Sequence, residues 1–205
     1  MQIFVSAIGT EVGKTVASAV LTKALNATYW KPIQSGAATD SDSKELARLV
    51  PGCEILPEKH LLQAPLSPHI AAKMEGVEIH LSDFKLPERK QLVIEGAGGL
   101  LVPMNDQDLM VDLIKKLDLP CVLVANSYLG SINHTLLSIA LLKERKIPLL
   151  GIVFNGENFA DNAEIIEKFS EARVLGHIPK ATKLDRYFIE REAEKLAQTL
   201  KDLSV

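Results

Sequence analysis

Gly9-Thr10-Glu11-Val12-Gly13-Lys14-Thr15 is the stretch on which the reading of this chain turns. It follows the apolar run Ile3-Phe4-Val5 and leads into Val16-Ala17-Ser18-Ala19-Val20-Leu21, which reads as helix. Strand, glycine-containing loop, Gly-Lys-Thr and helix, in that order, is the context in which a phosphate-binding loop works. Backbone N–H groups at a helix start point at an anion, and the helix dipole adds about half a positive charge there. Lys14 is then placed to reach the outer phosphates and Thr15 to hold Mg²⁺. The first glycine of the full G-x-x-x-x-G-K-[ST] pattern falls on Ile8, so Gly9 beside it must supply the flexibility. The competing reading is an ordinary glycine turn ahead of a helix.

Outward from this loop, apolar β-branched runs recur near 2–6, 28–33, 91–95, 121–125, 150–154 and 173–178. Helical patterns lie near 14–26, 42–50, 67–75, 109–117, 132–146, 160–171 and 186–203. Gln91-Leu92-Val93-Ile94 and Leu149-Leu150-Gly151-Ile152-Val153 suit parallel strands buried on both faces. The alternation predicts one α/β domain over residues 1–205, a P-loop NTPase-like, mostly parallel, doubly wound sheet flanked by helices. Residues 51–68, with four prolines and little periodicity, suit an irregular active-site loop. Leu136, Leu137, Ile139, Ala140 and Leu141 make the 132–146 helix apolar around much of its circumference. Such a helix packs against the sheet and against another surface, for which a second subunit is a candidate.

Composition narrows the classes. The chain has 205 residues, 47% of them hydrophobic, enough for a sheet covered on both sides, and a formal net charge of −3. That charge offers no general attraction to nucleic acid, and Lys143-Glu144-Arg145-Lys146 reads as a solvated helix end. No apolar run approaches the ~18 residues of a membrane span. Nothing near Met1 reads as a secretory signal, so the expected location is cytoplasmic, with Cys53 and Cys121 as reduced thiols.

A second landmark is Leu92-Val93-Ile94-Glu95-Gly96-Ala97-Gly98-Gly99. It places a carboxylate at the carboxyl end of a strand, where open α/β sheets bind ligands, followed by glycines that admit close backbone approach. Asp42, within Asp40-Ser41-Asp42-Ser43, could join Thr15 and Glu95 in a hard-oxygen Mg²⁺ site. Local sequence alone favours a helix cap or first-turn acid there. Lys31, in Lys31-Pro32-Ile33-Gln34-Ser35-Gly36, either adds a second positive charge to the crevice or is a solvated lysine at a strand end. Gly130-Ser131-Ile132-Asn133-His134 opens the apolar helix. Its amides could receive an anion, although capping by Ser131 or Asn133 is the stronger local reading.

Jointly these residues resemble one family, the dethiobiotin synthetases. The resemblance rests on Thr10 to Thr15, Lys31-Pro32 with Ser35-Gly36, Ser41-Asp42, Ser67-Pro68-His69, Glu95-Gly96-Ala97-Gly98-Gly99, Gly130 with Ile132-Asn133-His134, and Asn155. It implies ATP- and Mg²⁺-dependent closure of a ureido ring. CO₂ (supplied as bicarbonate) adds to one amine of 7,8-diaminononanoate, ATP phosphorylates the carbamate, and the second amine displaces phosphate to give dethiobiotin. The resemblance further implies Thr15, Asp42 and Glu95 as metal ligands, and Lys14 and Lys31 as the charge-stabilising lysines. Thr10 and Glu11 would border the reacting end of the diamine. Nucleotide contacts would come from Glu11, Val12, Gly13, Lys14, Thr15, Val16, Asp42, Glu95, Gly96, Ala97 and Gly98. Asn155-Gly156 and Ile178-Pro179-Lys180 would flank the base. Ser35, Gly130, Ile132 and Asn133 would contact the substrate, the last three from the neighbouring subunit of a homodimer that shares its active sites.

The chain departs from the family pattern in three places. Ile8-Gly9 replaces a frequent Thr-Asp, Asn155-Gly156 replaces Asn-Asp, and the segment between Gly76 and Leu92 leaves room for only a small helix. His69 and His134 lack clustered metal ligands and read as structural. The competing class is a dimeric partitioning-type nucleotide-switch ATPase, whose signature lysine would stand where this chain has Gly9. The last helix also mixes Glu190, Glu192, Glu194 and Asp202 among its lysines, unlike a basic membrane-binding helix.

Overall fold

Strands and helices alternate along the chain in the computed structural model, which describes residues 1–39, 41–157 and 160–202. The order is β1 (Gln2–Ala7), α1 (Lys14–Leu25), β2 (Thr28–Trp30), β3 (Ile33–Gln34), α2 (Asp42–Leu49), β4 (Ile55–Leu56), β5 (His60–Leu61) and α3 (Pro68–Glu75). There follow β6 (Leu92–Gly99), α4 (Met110–Leu117), β7 (Cys121–Ala125), α5 (Ser131–Glu144), β8 (Leu149–Asn155), α6 (Ala160–Ser170), β9 (Val174–Ile178) and α7 (Arg186–Lys201). Seven strands form one sheet in the order β4-β2-β6-β1-β7-β8-β9, and each neighbouring pair is parallel. The chain winds from β1 toward β4, returns to β6, and then crosses β1 to build β7, β8 and β9. Winding therefore reverses at β1, and the carboxyl ends of the strands open a crevice there.

Alternation along the strands divides the core between the two faces. Ile3, Val5, Val93, Val122, Val124 and Val153 meet α1, α2 and α7, whose apolar stripes include Val20, Leu46 and Leu196. Phe4, Leu92 and Ile94 pack with Ala71, Ile114 and Leu142 on the opposite face. Leu123, Ile152 and Phe154 join Ile139 and Ile166 there, beneath α5 and α6. Removing such residues from water, at about 25 cal/mol per Å² of apolar surface, is what holds helices to both sides of the sheet.

The structure corrects three details of the sequence reading. The run at 28–33 is two strands, because Pro32 has no N–H for a ladder; β3 leaves the main sheet and pairs with β5. Residues 51–68 are also not wholly irregular, since they contain β4, which extends the large sheet, and β5. Finally, β6 does not stop at Glu95. Val5 pairs with Glu95 but Ala7 pairs with Gly99, so the Gly96–Gly98 segment bulges out of register at the crevice. The short segment before Leu92 holds a single 3-10 turn at Leu81–Asp83. The end of the last helix expected at 203 lies outside the described residues.

Candidate active site

The phosphate-loop conformation places two residues in the left-handed region, one of them a glycine for which it carries no steric cost. Gly13 precedes the first turn of α1 at φ 82°, and Glu11 is also left-handed at φ 59°. No side chain caps this helix, so the first-turn N–H groups of Lys14, Thr15 and Val16 lack an intrahelical acceptor and can bind an anion. Val12 is buried, whereas Thr10 and Glu11 stand exposed at the mouth. Lys14 is only 8% exposed, yet it forms no ion pair or hydrogen bond among the described residues. Burial lowers its pKa; Glu95 and Asp42 pull it back up, while Lys31 adds to the lowering. A buried ammonium without a partner of its own suits a polyanionic ligand.

Beside it lies a compact charged cluster. Thr15 Oγ1 donates to Asp42 Oδ1 at 2.7 Å and approaches Glu95 Oε1 at 3.1 Å. Lys31 Nζ lies 2.5 Å from Asp42 Oδ2 and 3.0 Å from Glu95 Oε1. Burial alone would lower the Lys31 pKa, but Glu95 and Asp42 outweigh it and the pKa rises. For Asp42 burial works in the opposite sense and is outweighed by Lys31, Thr15 and Lys14, which hold its carboxyl low. The solvated-lysine reading of Lys31 is therefore overturned, because its ammonium is buried between two carboxylates. Of the two local readings of Asp42, the cap is overturned and the first-turn acid of α2 is borne out. Ser41 caps α2, its hydroxyl accepting from Lys44 N–H, and Gln34 Oε1 accepts from Asp42 N–H, which leaves the Asp42 carboxylate free to face α1.

One hydroxyl and two carboxylates thus converge beside an anion-binding helix start. This donor set fits Mg²⁺, a hard cation that keeps several positions for water and phosphate oxygens. Among the described residues no three His, Cys, Asp or Glu side chains gather into an all-protein metal cage. The Ser35 hydroxyl is buried without a hydrogen-bond partner near the end of β3. Gly96, Ala97 and Gly98 form the bulge next to Glu95.

The other predicted residues form two further groups on the same carboxyl edge. Asn155 Nδ2 donates to Val12 O at 3.1 Å, and a Cβ on Gly13 would stand 1.9 Å from that nitrogen. Gly156 N–H donates to Ile178 O, joining the two segments expected to flank the base, with Pro179 half-buried and Lys180 exposed next to them. The second group is the start of α5. Gly130 occupies the cap position with a left-handed φ of 99°, and no side chain caps the helix. The capping reading of Ser131 and Asn133 is therefore not realised. Ser131 instead accepts from Tyr128 N–H and Asn162, while Asn133 is exposed and Ile132 half-buried. Within the chain no hydrogen bond or ion pair joins this group to the Lys31 cluster among the described residues. His69 lies against Ser67, and His134 against the Tyr128 hydroxyl.

Sequence reasoning missed three residues at this edge. Asn126 Oδ1 and Ser127 Oγ, just past β7, are buried without partners, and their position next to β1 at a strand's carboxyl end was the available signal. Tyr29 donates its hydroxyl to Glu95 Oε2 at 2.9 Å.

Known proteins resemble the chain over most of its length. An AAA domain family model matches residues 1–187. The chain is 45% identical over 200 residues to the ATP-dependent dethiobiotin synthetase BioD of Christiangramia forsetii, with 96% of each chain covered. It is 48% identical over 177 residues to the protein of that name from Paramagnetospirillum magneticum, with 86% of each covered. Among solved structures, the septum site-determining protein MinD from Pyrococcus horikoshii, complexed with Mg-ADP, aligns with a TM-score of 0.61. That alignment covers 100% of this chain and 98% of the other at 17% identity, a likeness of fold.

Proposed function

Since the chain belongs to the family of ATP-dependent dethiobiotin synthetases, we propose that its Lys14–Thr15–Lys31–Asp42–Glu95 cluster is the centre at which the ureido ring is closed. The reaction uses ATP, Mg²⁺, CO₂ and 7,8-diaminononanoate and releases dethiobiotin, ADP and phosphate. The observation that carries the site assignment is the convergence of two buried lysines with a hydroxyl and two carboxylates at one sheet edge.

Phosphoryl transfer asks a protein mainly for position and charge. In this reading the first-turn amides of α1 and Lys14 hold the β- and γ-phosphates. Thr15, Asp42 and Glu95 hold Mg²⁺, which supplies neutralisation of phosphate charge when bound. Lys31 turns its ammonium to the carbamate oxygen that attacks the γ-phosphorus and then stabilises the anhydride. Ser35 orients the diamine, with Thr10 and Glu11 at its reacting end. Asn155 and Gly156, with Ile178 to Lys180, flank the base. Preorganised charge of this kind is usually the largest contribution to catalysis.

The finer assignment of partners is a homodimer with shared sites. Support comes from the apolar surface around the start of α5: Leu129 is fully exposed, Leu137 more than half and Tyr128 partly so. A substrate carboxylate presented by a second copy would meet the first-turn amides after Gly130, with Asn133 beside them. A cytoplasmic location agrees with two free cysteines and with the lack of any membrane-length apolar helix among the described residues. The nucleotide-switch alternative shares the fold, but Gly9 stands where its signature lysine would be.

Incubating the protein with ATP, Mg²⁺, bicarbonate and 7,8-diaminononanoate should yield dethiobiotin by mass spectrometry, with ADP and phosphate in equal amounts. ATP turnover that ignores the diamine and yields no dethiobiotin would refute the reading.

A further inference from the structure

Two parallel strands bring a phenol to the back of the proposed cation site. β2 and β6 pair with Tyr29 opposite Val93 and Trp30 opposite Ile94. Side chains alternate along a strand, so Tyr29 shares a face with Val93 and Glu95, the face covered by α1 and α2. Glu95 is then the diagonal neighbour of Tyr29, a distance that an aromatic side chain spans. The Tyr29 hydroxyl donates to Glu95 Oε2 at 2.9 Å, and both residues are buried. Glu95 Oε1 instead faces Thr15 Oγ1 and Lys31 Nζ, at 3.1 and 3.0 Å. The two oxygens are thus divided: one looks to the crevice, and the other is tied back into the core. Among the described residues Tyr29 is the one donor to Oε2.

The division of oxygens has a consequence for ion choice. Ca²⁺ accepts six to eight oxygens and readily takes both oxygens of one carboxylate, whereas Mg²⁺ demands a compact octahedron built from single oxygens. Resting on the assignment of Glu95 as a cation ligand, we propose that Tyr29 is a positioning residue that keeps Glu95 monodentate and thereby makes the site select Mg²⁺ over Ca²⁺. Removing the hydroxyl leaves Oε2 without its donor and lets the carboxylate rotate to offer both oxygens.

The test is the Tyr29→Phe variant, which keeps the ring in the core and loses one oxygen. Mn²⁺ bound to ADP-loaded protein is followed by electron paramagnetic resonance and displaced with Mg²⁺ or with Ca²⁺. The ratio of Mg²⁺ to Ca²⁺ affinity should fall about ten-fold in Tyr29→Phe, the scale of one hydrogen bond to a charged group. A general loosening of the core would weaken both ions together and leave the ratio in place. In a Glu95→Gln background, Tyr29→Phe should have no further effect on the ratio. An unchanged ratio in the single variant, or an equal fall in the Glu95→Gln background, would overturn the proposal. If Glu95→Gln alone left Mn²⁺ binding untouched, the metal assignment itself would fall, and the proposal with it. That outcome is separable from the others, because it appears before Tyr29 is altered.

Discussion

Replacing Lys31 by Met should abolish ring closure and yet tighten the hold of the site on a divalent metal. In the structure the Lys31 ammonium lies 2.5 Å from Asp42 and 3.0 Å from Glu95, so it touches two of the groups assigned to Mg²⁺. A unit-charge pair at about 3 Å, with an effective dielectric near 20, interacts by about 5 kcal/mol before solvation is counted. Removing one partner of a buried pair costs about 3–5 kcal/mol net, because the remaining charge is left uncompensated. A cation binding the same oxygens restores part of that loss. If it recovers roughly half, about 1.5–2.5 kcal/mol, Mn²⁺ should bind about ten- to sixty-fold more tightly to Lys31→Met than to the unaltered protein. Calorimetry or paramagnetic resonance, without substrate, gives the affinities directly. Thermal unfolding supplies a second reading: in EDTA the variant should melt about 6–20 °C lower, and Mg²⁺ should restore more of that loss than it adds to the parent. Equal or weaker metal binding in Lys31→Met would refute the idea that lysine and metal compete for these carboxylates.

Other consequences are more direct. Lys14→Ala should weaken ATP binding about ten- to a hundred-fold in calorimetry, as expected for a lost contact to a charged group, whereas Lys31→Ala should keep most of its ATP affinity; equal losses would remove the division of labour between the two lysines. Mixing inactive Lys14→Ala and Asn133→Ala proteins under subunit exchange should restore activity if each site takes Lys14 from one chain and Asn133 from the other. No recovery despite verified exchange would exclude a shared site. Glu54 is paired with Arg89 and bonded by Thr28, which hold its carboxyl at about 2. Its folded pKa is depressed, so its contribution to stability is complete above the ordinary carboxylate range and disappears as pH falls toward that value. The difference in unfolding midpoint between the parent and Glu54→Gln should accordingly shrink on acidification and in high salt, and a difference that grew toward low pH would contradict the pairing.

The parts of this molecule legible in the sequence are those governed by local rules. Gly13 before Lys14, Ser41 before Asp42 and Pro68 at the head of α3 mark helix starts, and the buried strands declare themselves by continuous apolar runs. β4 and β5 have two residues each, too few to show a period, and their partners lie far away in the chain. Asp42 shows why the site was only half legible. Locally it is a good cap, and only the fold reveals that Ser41 and Gln34 already satisfy the helix start. Lys31 was likewise ambiguous until β2 and β6 set it against Glu95. Tyr29 was within reach of sequence reasoning, since Tyr29-Trp30-Lys31 and Val93-Ile94-Glu95 share one alternation, but the pairing register that aligns them is a tertiary fact.

The bond from Asn155 to the Val12 carbonyl ties the end of β8 to the phosphate loop, and Gly13 fits beneath it only because it has no side chain. Two parts of the protein that would grip opposite ends of a nucleotide are therefore not independent. On the proposed assignment they would form the jaws of a caliper with a fixed gap, and the ligand would be gauged by its length as well as by the chemistry at each end. A side chain at position 13 would open that gap by displacing Asn155. The error would then appear at the base, far from the altered residue.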